Sequence, residues 1–343
     1  MTQETTQAAS RGSIRDEHGF EFRGTADEYF RIWIVNVCLT IVTLGIYSPW
    51  AKVRTGRYFA ASTRLAGASF SYLADPIAIL KGRLIVLGSL GLYALTPLVS
   101  PFLQPVLGVA LAAAVPWAIT RSLSFKAHNT AWRNIRFAFG ARYGEAFAAY
   151  IGFPLAGVLT LGVLYPYAVF RQRQFIVDHA AFGTTRFAFA STSAAFYRVF
   201  GMLLTFALAC VALVAALVAA GGEETGPALA LGTLAPCYFG AFAYVAARIT
   251  NLTYEGTKLG EHRLSSRVPA LGLAWIYMSN ALAILLSLGL LIPWSHVRLA
   301  RFRLAHMSLF STGSLEEFAA TQGGDVSSLG AEFGEAFDID VGL

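Results

Sequence analysis

At 343 residues, 56% of them hydrophobic and 13% charged, with mean hydropathy +0.56, the chain departs from soluble globular composition, in which about a quarter of residues are charged. Its net charge of +6 gathers in loops between apolar runs, the positive-inside pattern of a membrane protein and not a nucleic-acid surface. Cys38, Cys210 and Cys237 lie inside apolar runs without CxxC or Cys/His spacing and read as packing residues, not as a disulfide frame or zinc site.

In chain order, Met1 to His18 is polar and expected to fray, with no apolar core of a cleaved secretory signal. Gly19 to Gly24 alternates apolar and polar residues, the period of a short strand. Apolar runs follow near Ile32–Ile46, Ile77–Leu98, Pro105–Ile119, Ala146–Leu164, Phe200–Ala220, Ala228–Ala247 and Leu271–Ile292. They approach or reach the roughly 17–25 residues that cross hydrocarbon.

Thr43-Leu44-Gly45 through Pro49 and Trp50 ends the first run and restarts at once as a basic, aromatic helix. The same order of residues returns at Leu161-Gly162 with Pro166 and at Leu288-Gly289 with Pro293, and in shorter form at Pro116. After each proline comes an aromatic, then an arginine four on, then a further aromatic: Trp50–Arg54–Tyr58, Trp117–Arg121–Phe125, Tyr167–Arg171–Phe175 and Trp294–Arg298–Phe302. Gly45, Gly162 and Gly289 permit the bend, while Pro49, Pro166 and Pro293 open the next helix. A slot at Phe239 keeps the first aromatic but has Ala243 and Ala247 afterwards. Asn36 and Asn280 lie eight residues before two of the Leu-Gly pairs, with Phe153 in that place in the other.

Each basic helix leads, eight residues past its arginine, to Ser62, Asn129, His179 or His306. Phe-x-Phe-like segments with central Gly or Asn follow, which predicts short β-hairpins. The hairpin after Asn251 is expected to be degenerate, running from Asn251–Gly256 to Leu259. Strand edges cannot stand bare in lipid, so the hairpins belong in water or behind protein.

The expected fold is therefore all-α and polytopic, with internally repeated helix–break–helix modules and short cytoplasmic β-hairpins. It divides as 1–18 polar tail, 19–132 first repeat, 133–254 second repeat, 255–310 partial third repeat and 311–343 acidic tail. Charge leaves two topologies open, seven plain crossings or four crossings plus three segments that dip in and return, and the Leu-Gly-x-x-x-Pro tips favour the second.

An arginine four residues from an aromatic shares its helix face, so Arg54, Arg121, Arg171 and Arg298 are expected over Trp50, Trp117, Tyr167 and Trp294. These pairs read either as interfacial anchors or as a cationic lining that contacts an anion or lipid headgroup. Lys81 and Arg83, early in an apolar run, read as snorkelling. His128, His179 and His306 read as turn hydrogen-bonders, and Glu28 and Glu145 as helix-start carboxylates. HExxH, Walker, GxSxG and dinucleotide fingerprints do not occur, so no catalytic residue, metal ligand or cofactor is expected.

Taken together, Phe22-Arg23-Gly24, Asn36 with Thr43–Arg54, Gly82-Arg83, Pro293-Trp294 with Arg298, and the closing Phe337–Gly342 resemble the YjgN family of bacterial inner-membrane proteins, a family of unknown function. The resemblance implies a multi-pass protein of the bacterial cytoplasmic membrane and carries over no catalytic residues. The leading functional expectation is a conduit or binding site for an anionic solute or lipid, with membrane lipids as partners and no nucleic acid. The alternative is a non-transporting scaffold or regulator of an envelope partner protein. Nothing in the sequence sets an oligomeric state.

Overall fold

The computed structural model describes residues 15–321. The polar segment 1–14 and the acidic segment 322–343, including the Phe337–Gly342 motif, lie outside the described residues.

The described residues are mostly helical with short strands, and the all-α expectation is corrected in how those strands assemble. The short hairpins do not stand separately but close into one antiparallel barrel in the order β1-β10-β9-β8-β7-β6-β5-β4-β3-β2, with β2 returning to β1. The strands are β1 Arg15–Phe22, β2 Thr63–Leu65, β3 Ala68–Tyr72, β4 Thr130–Trp132, β5 Ile135–Phe139, β6 Ala180–Phe182, β7 Thr185–Phe189, β8 Thr257–Leu259, β9 His262–Ser266 and β10 Met307–Thr312. Closure removes the unpaired edges that four separate hairpins would expose, and the hairpin expected after His306 is instead the single strand β10, paired with β9 and β1. β1 begins at Arg15, inside the stretch expected to fray, because β10 supplies its partner from Met307 onward. The fourth hairpin is also corrected: residues 251–255 finish a helix, and the hairpin is β8–β9 across Gly260 and Glu261.

Between strands the chain forms helices in pairs. They are α1 Ala26–Val42 with α2 Ser48–Ser62, α3 Pro76–Val99 with α4 Leu103–His128, and α5 with α6 Tyr165–Asp178. α5 consists of Tyr143–Phe147 and Phe153–Leu159 joined by a π-helical turn, Ala148–Gly152. The last pairs are α7 Ser193–Gly222 with α8 Thr225–Glu255, and α9 Ala270–Leu286 with α10 Ile292–Ala305. Strict antiparallel pairing puts every helical connection at one end of the barrel and every tight turn at the other. Each pair must therefore leave and return on the same side. Seven plain crossings would strand some hairpins across the bilayer from the others, where no single barrel could close.

Among the described residues four helices, α3, α4, α7 and α8, are long and apolar enough to cross a membrane. The other three pairs are shorter and turn in the same way. In each, the residue after the last helical turn is a leucine with positive φ, at Leu44 (49°), Leu161 (52°) and Leu288 (50°), followed by Gly45, Gly162 and Gly289 near 91–92°. The glycine N–H donates five residues back, to the Thr40, Gly157 and Ile284 carbonyls at 2.7–2.8 Å, and the hydroxyls of Thr43, Thr160 and Ser287 accept from the N–H four residues on. This is a Schellman cap with leucine where glycine usually sits. A left-handed leucine costs roughly 1–2 kcal/mol, and burial in the protein does not offset it: Leu44, Leu161 and Leu288 are 95%, 98% and 94% exposed.

The turn end of the barrel is filled and capped. Leu65, Trp132, Ile135, Phe182 and Leu309 pack with Phe70, Phe137 and Phe187 inside it. The first residues of the expected acidic tail instead form a helix, 315–321, whose Leu315, Phe318 and Ala319 join this core.

Candidate functional site

The four arginines of the repeated pattern do not meet. Arg54 and Arg121 are exposed, whereas Arg298 and Arg171 line two separate clefts. Of the four expected arginine–aromatic pairs, the described residues contain Arg298 over Trp294, at 5.0 Å from the ring centroid. Arg171 lies over Phe153 instead of Tyr167, at 5.2 Å, and Trp50 stacks with Tyr47. Trp117, beside the fully buried Pro116, is exposed.

What stands in the Asn36/Phe153/Asn280 slot decides each arginine's course. In α9 the buried Asn280 accepts from Arg298 at Oδ1 (2.9 Å) and donates weakly to the Ser295 carbonyl (3.4 Å). Ser279 Oγ also accepts from Arg298 (2.6 Å) while donating to the Trp275 carbonyl. One guanidinium nitrogen is thus doubly held and the plane fixed against Trp294, leaving other donors of the five-donor fork for a ligand. In α1, Asn36 makes the matching contact to the Ala51 carbonyl (3.4 Å), but its buried Oδ1 has no partner among the described residues. Phe153 cannot accept a hydrogen bond, so Arg171 turns to its π face and donates to Gln174 (2.9 Å).

The cleft beside Arg298 is about 480 Å³ and lies between α9, α10 and the start of α1. Arg301, one turn on, shares it and donates to the Gly24 carbonyl at 3.0 Å, tying α10 to the entry of α1. Thr25 caps α1 by accepting from the Glu28 N–H (3.3 Å). Two guanidiniums, an indole and a helix start make a setting for an anion with an apolar attachment. The i, i+3 partner Arg301 escaped the sequence reading, which followed steps of four.

The second cleft, about 330 Å³, holds Arg171, Gln174, Glu145 and His179. At the barrel end of α5, the Arg142 N–H (3.2 Å) and then His179 Nε2 (2.8 Å) hold the Glu145 carboxyl below its ordinary pKa. His179 Nδ1 faces the Phe175 carbonyl at 2.9 Å and His306 Nδ1 the Phe302 carbonyl at 2.7 Å, as turn hydrogen-bonders. His128 instead meets Arg136 (3.1 Å). Arg83 reaches Ser48 Oγ rather than snorkelling alone. Among the described residues no cluster of three or more His, Cys, Asp or Glu could hold a metal ion.

At the barrel mouth His262 is buried, its ring edge-on to Phe318 with centroids 4.6 Å apart. Its Nδ1 accepts the Thr312 N–H (3.3 Å), which puts the ring proton on Nε2. Burial depresses the His262 pKa below the ordinary value, and neighbouring Glu261 opposes that shift. With the folded value below the unfolded one, the stabilisation is complete above about pH 6.5 and is lost as pH falls through the folded value. The melting temperature in detergent should therefore drop on acidification below about pH 6.5. His262→Gln, which still accepts from Thr312, should flatten that slope; a variant retaining the full slope would assign it to other groups.

Four helices able to span a bilayer, rising in two pairs from one end of a closed barrel, define a multi-pass membrane protein. Residues 17–336 match DUF898, described as a bacterial protein of unknown function, and the chain belongs to that family. It is similar to Inner membrane protein YjgN of Salmonella typhimurium (strain LT2), 25% identical over 343 residues that cover 82% of this chain and 86% of that one. It is also similar to Inner membrane protein YjgN of Escherichia coli O157:H7, 30% identical over 151 residues, and of strain K12, 53% identical over 55. Those two matches span 43% and 16% of this chain and 37% and 14% of the relatives' lengths. No solved structure matches. The protein belongs to the bacterial inner membrane as a multi-pass chain.

Proposed function

We propose that this protein binds an anionic phosphate-bearing group, a lipid headgroup or a small solute, in the cleft between α9, α10 and the start of α1. The observation that carries this is Arg298, fixed by Asn280 and Ser279 against Trp294, with Arg301 in the same cleft. Binding is favoured over conduction because the two arginine-lined clefts are separate and aromatic side chains fill the barrel's mouth. No catalytic step is part of the proposal.

The barrel lies on the cytoplasmic side in this reading, because Arg136, Arg186 and Arg263 stand exposed on its wall and the far connections lack basic residues. The three short pairs enter the cytoplasmic leaflet and return. Their common cap geometry supports an origin of the chain in a repeated helix-pair module.

Charge-assisted hydrogen bonds contribute about 1.5–3 kcal/mol each, so Arg298→Gln with Arg301→Gln should weaken anionic binding about tenfold or more. Native mass spectrometry of protein extracted with phosphatidylglycerol would count the retained lipid, and calorimetry with inorganic phosphate would separate a solute site from a headgroup site. Equal lipid retention by both proteins, with no phosphate binding, would overturn the proposal. The scaffold reading draws on the same barrel-wall arginines, none of which pairs with a carboxylate among the described residues. A stoichiometric co-purifying envelope protein would favour it.

A further inference from the structure

The short helix pairs end well below the far ends of the spanning helices, at the same level in two independent places. At the first tip, Ser48 accepts from Arg83, the eighth residue of α3. At the second tip, Tyr165 meets Phe200, the eighth residue of α7, edge-on with ring centroids 5.5 Å apart. At 1.5 Å per residue, α3 continues roughly 24 Å past Arg83 and α7 roughly 33 Å past Phe200. Eight residues correspond to roughly 12 Å, inside the near half of a hydrocarbon core about 30 Å thick.

The tips offer that half-bilayer an apolar surface continuous with the lipid-facing sides of the spanning helices. Ile41, Val42, Leu44 and Ile46 are exposed at the first, Val158, Leu159 and Leu161 at the second, and Leu285, Leu286 and Leu288 at the third. Burial in lipid accounts for a leucine kept three times in a left-handed conformation with almost its whole side chain exposed.

We infer that the protein is a one-leaflet wedge whose partner is a bilayer curved convex toward the barrel. This rests on the reading of the short pairs as entering the cytoplasmic leaflet. Among the described residues ten helices emerge from one end of the barrel and four of them continue across. The near leaflet therefore accommodates six more helix sections than the far one, each about 10 Å wide, an excess on the order of 500 Å². A lipid bilayer matches that excess at least cost where its near leaflet is already expanded, and the protein in turn favours such a shape.

The test is insertion of detergent-purified protein into preformed phosphatidylethanolamine–phosphatidylglycerol vesicles of graded size, an arrangement that leaves the polar barrel outside. The wild type should enrich several-fold on the smallest vesicles per unit of lipid area. Leu44→Asn, Leu161→Asn and Leu288→Asn combined should abolish the enrichment. Asparagine accepts the left-handed conformation better than leucine, so the variant's circular dichroism and melting should not fall. Even distribution of the wild type over vesicle sizes, or undiminished sorting by the variant, would overturn the wedge. A nitroxide at position 161 separates this failure from that of the underlying reading. A label quenched by a water-soluble reagent would remove the dipping helices themselves, whereas a lipid-buried label without sorting would remove the wedge alone.

Discussion

Phe182→Ala should be among the most damaging single substitutions in the protein, with an expected loss of about 3–5 kcal/mol. Phe182 is 2% exposed and sits on β6, a strand of three residues whose pairing with β5 and β7 involves few backbone hydrogen bonds. Its ring packs against Phe137 at 5.1 Å, Trp132 at 5.8 Å and Phe318 at 6.2 Å between centroids. Removing it leaves a cavity bounded by a closed barrel, which cannot collapse as an open sheet could. Domain stabilities of roughly 5–15 kcal/mol leave little reserve against such a loss. Thermal unfolding in detergent, followed by circular dichroism, measures it against Leu44→Ala, an exposed control. Equal shifts for the two variants would mean that the barrel core does not hold the fold.

The sequence makes the elements of this barrel readable but not the barrel. Three-residue strands such as Ala180–Phe182 are recognisable beside a tight turn because turn chemistry is local. Pairing between β3 and β4, or between β7 and β8, joins segments separated by whole helix pairs, and neither alternation nor hydropathy records it. Only the first half of β1 is hidden, for a related reason, since the alternation from Gly19 already marks the second half. Arg15 to His18 reads as polar tail until β10 supplies the opposite strand, where His18 meets Ser311. The fourth hairpin lies later than its sequence suggests because Thr257-Lys258-Leu259 lacks the aromatics that mark the others, and because helix α8 runs on to Glu255.

The candidate site was legible to the same degree. Steps of four placed each arginine near an aromatic along its helix, yet its direction depends on the facing helix, where Asn280 captures Arg298 and Phe153 turns Arg171. The alanines at the Phe239 slot read as a loss of signal. In the fold, Ala243 and Ala247 are buried against α9, where small side chains let two helices approach. Absence of the motif was itself a packing instruction.

Phe318→Asp should release the helix that closes the barrel mouth. The helix of residues 315–321 is too short to persist undocked, since nucleation alone is unfavourable for so few residues. Its N-terminus is capped by Ser314 Oγ, which accepts from the Glu316 and Glu317 N–H groups at 3.2 and 3.3 Å. The Arg133–Glu316 ion pair is long, at 3.6 Å, and its carboxylate is 81% exposed, so it adds little. What holds the helix is apolar contact: Leu315 and Ala319 are buried, and Phe318 stacks on Phe182 and against His262. An aspartate there forfeits about 1.5–3 kcal/mol of side-chain burial and sets a charge among the core rings. The helix should then detach as a unit and expose Phe182 and Trp132. Hydrogen exchange should find amides 315–321 protected in the wild type, still protected in Glu316→Gln, and fully exchanging in Phe318→Asp. If Glu316→Gln were instead the variant that lost protection, electrostatics and not burial would be what seats the helix.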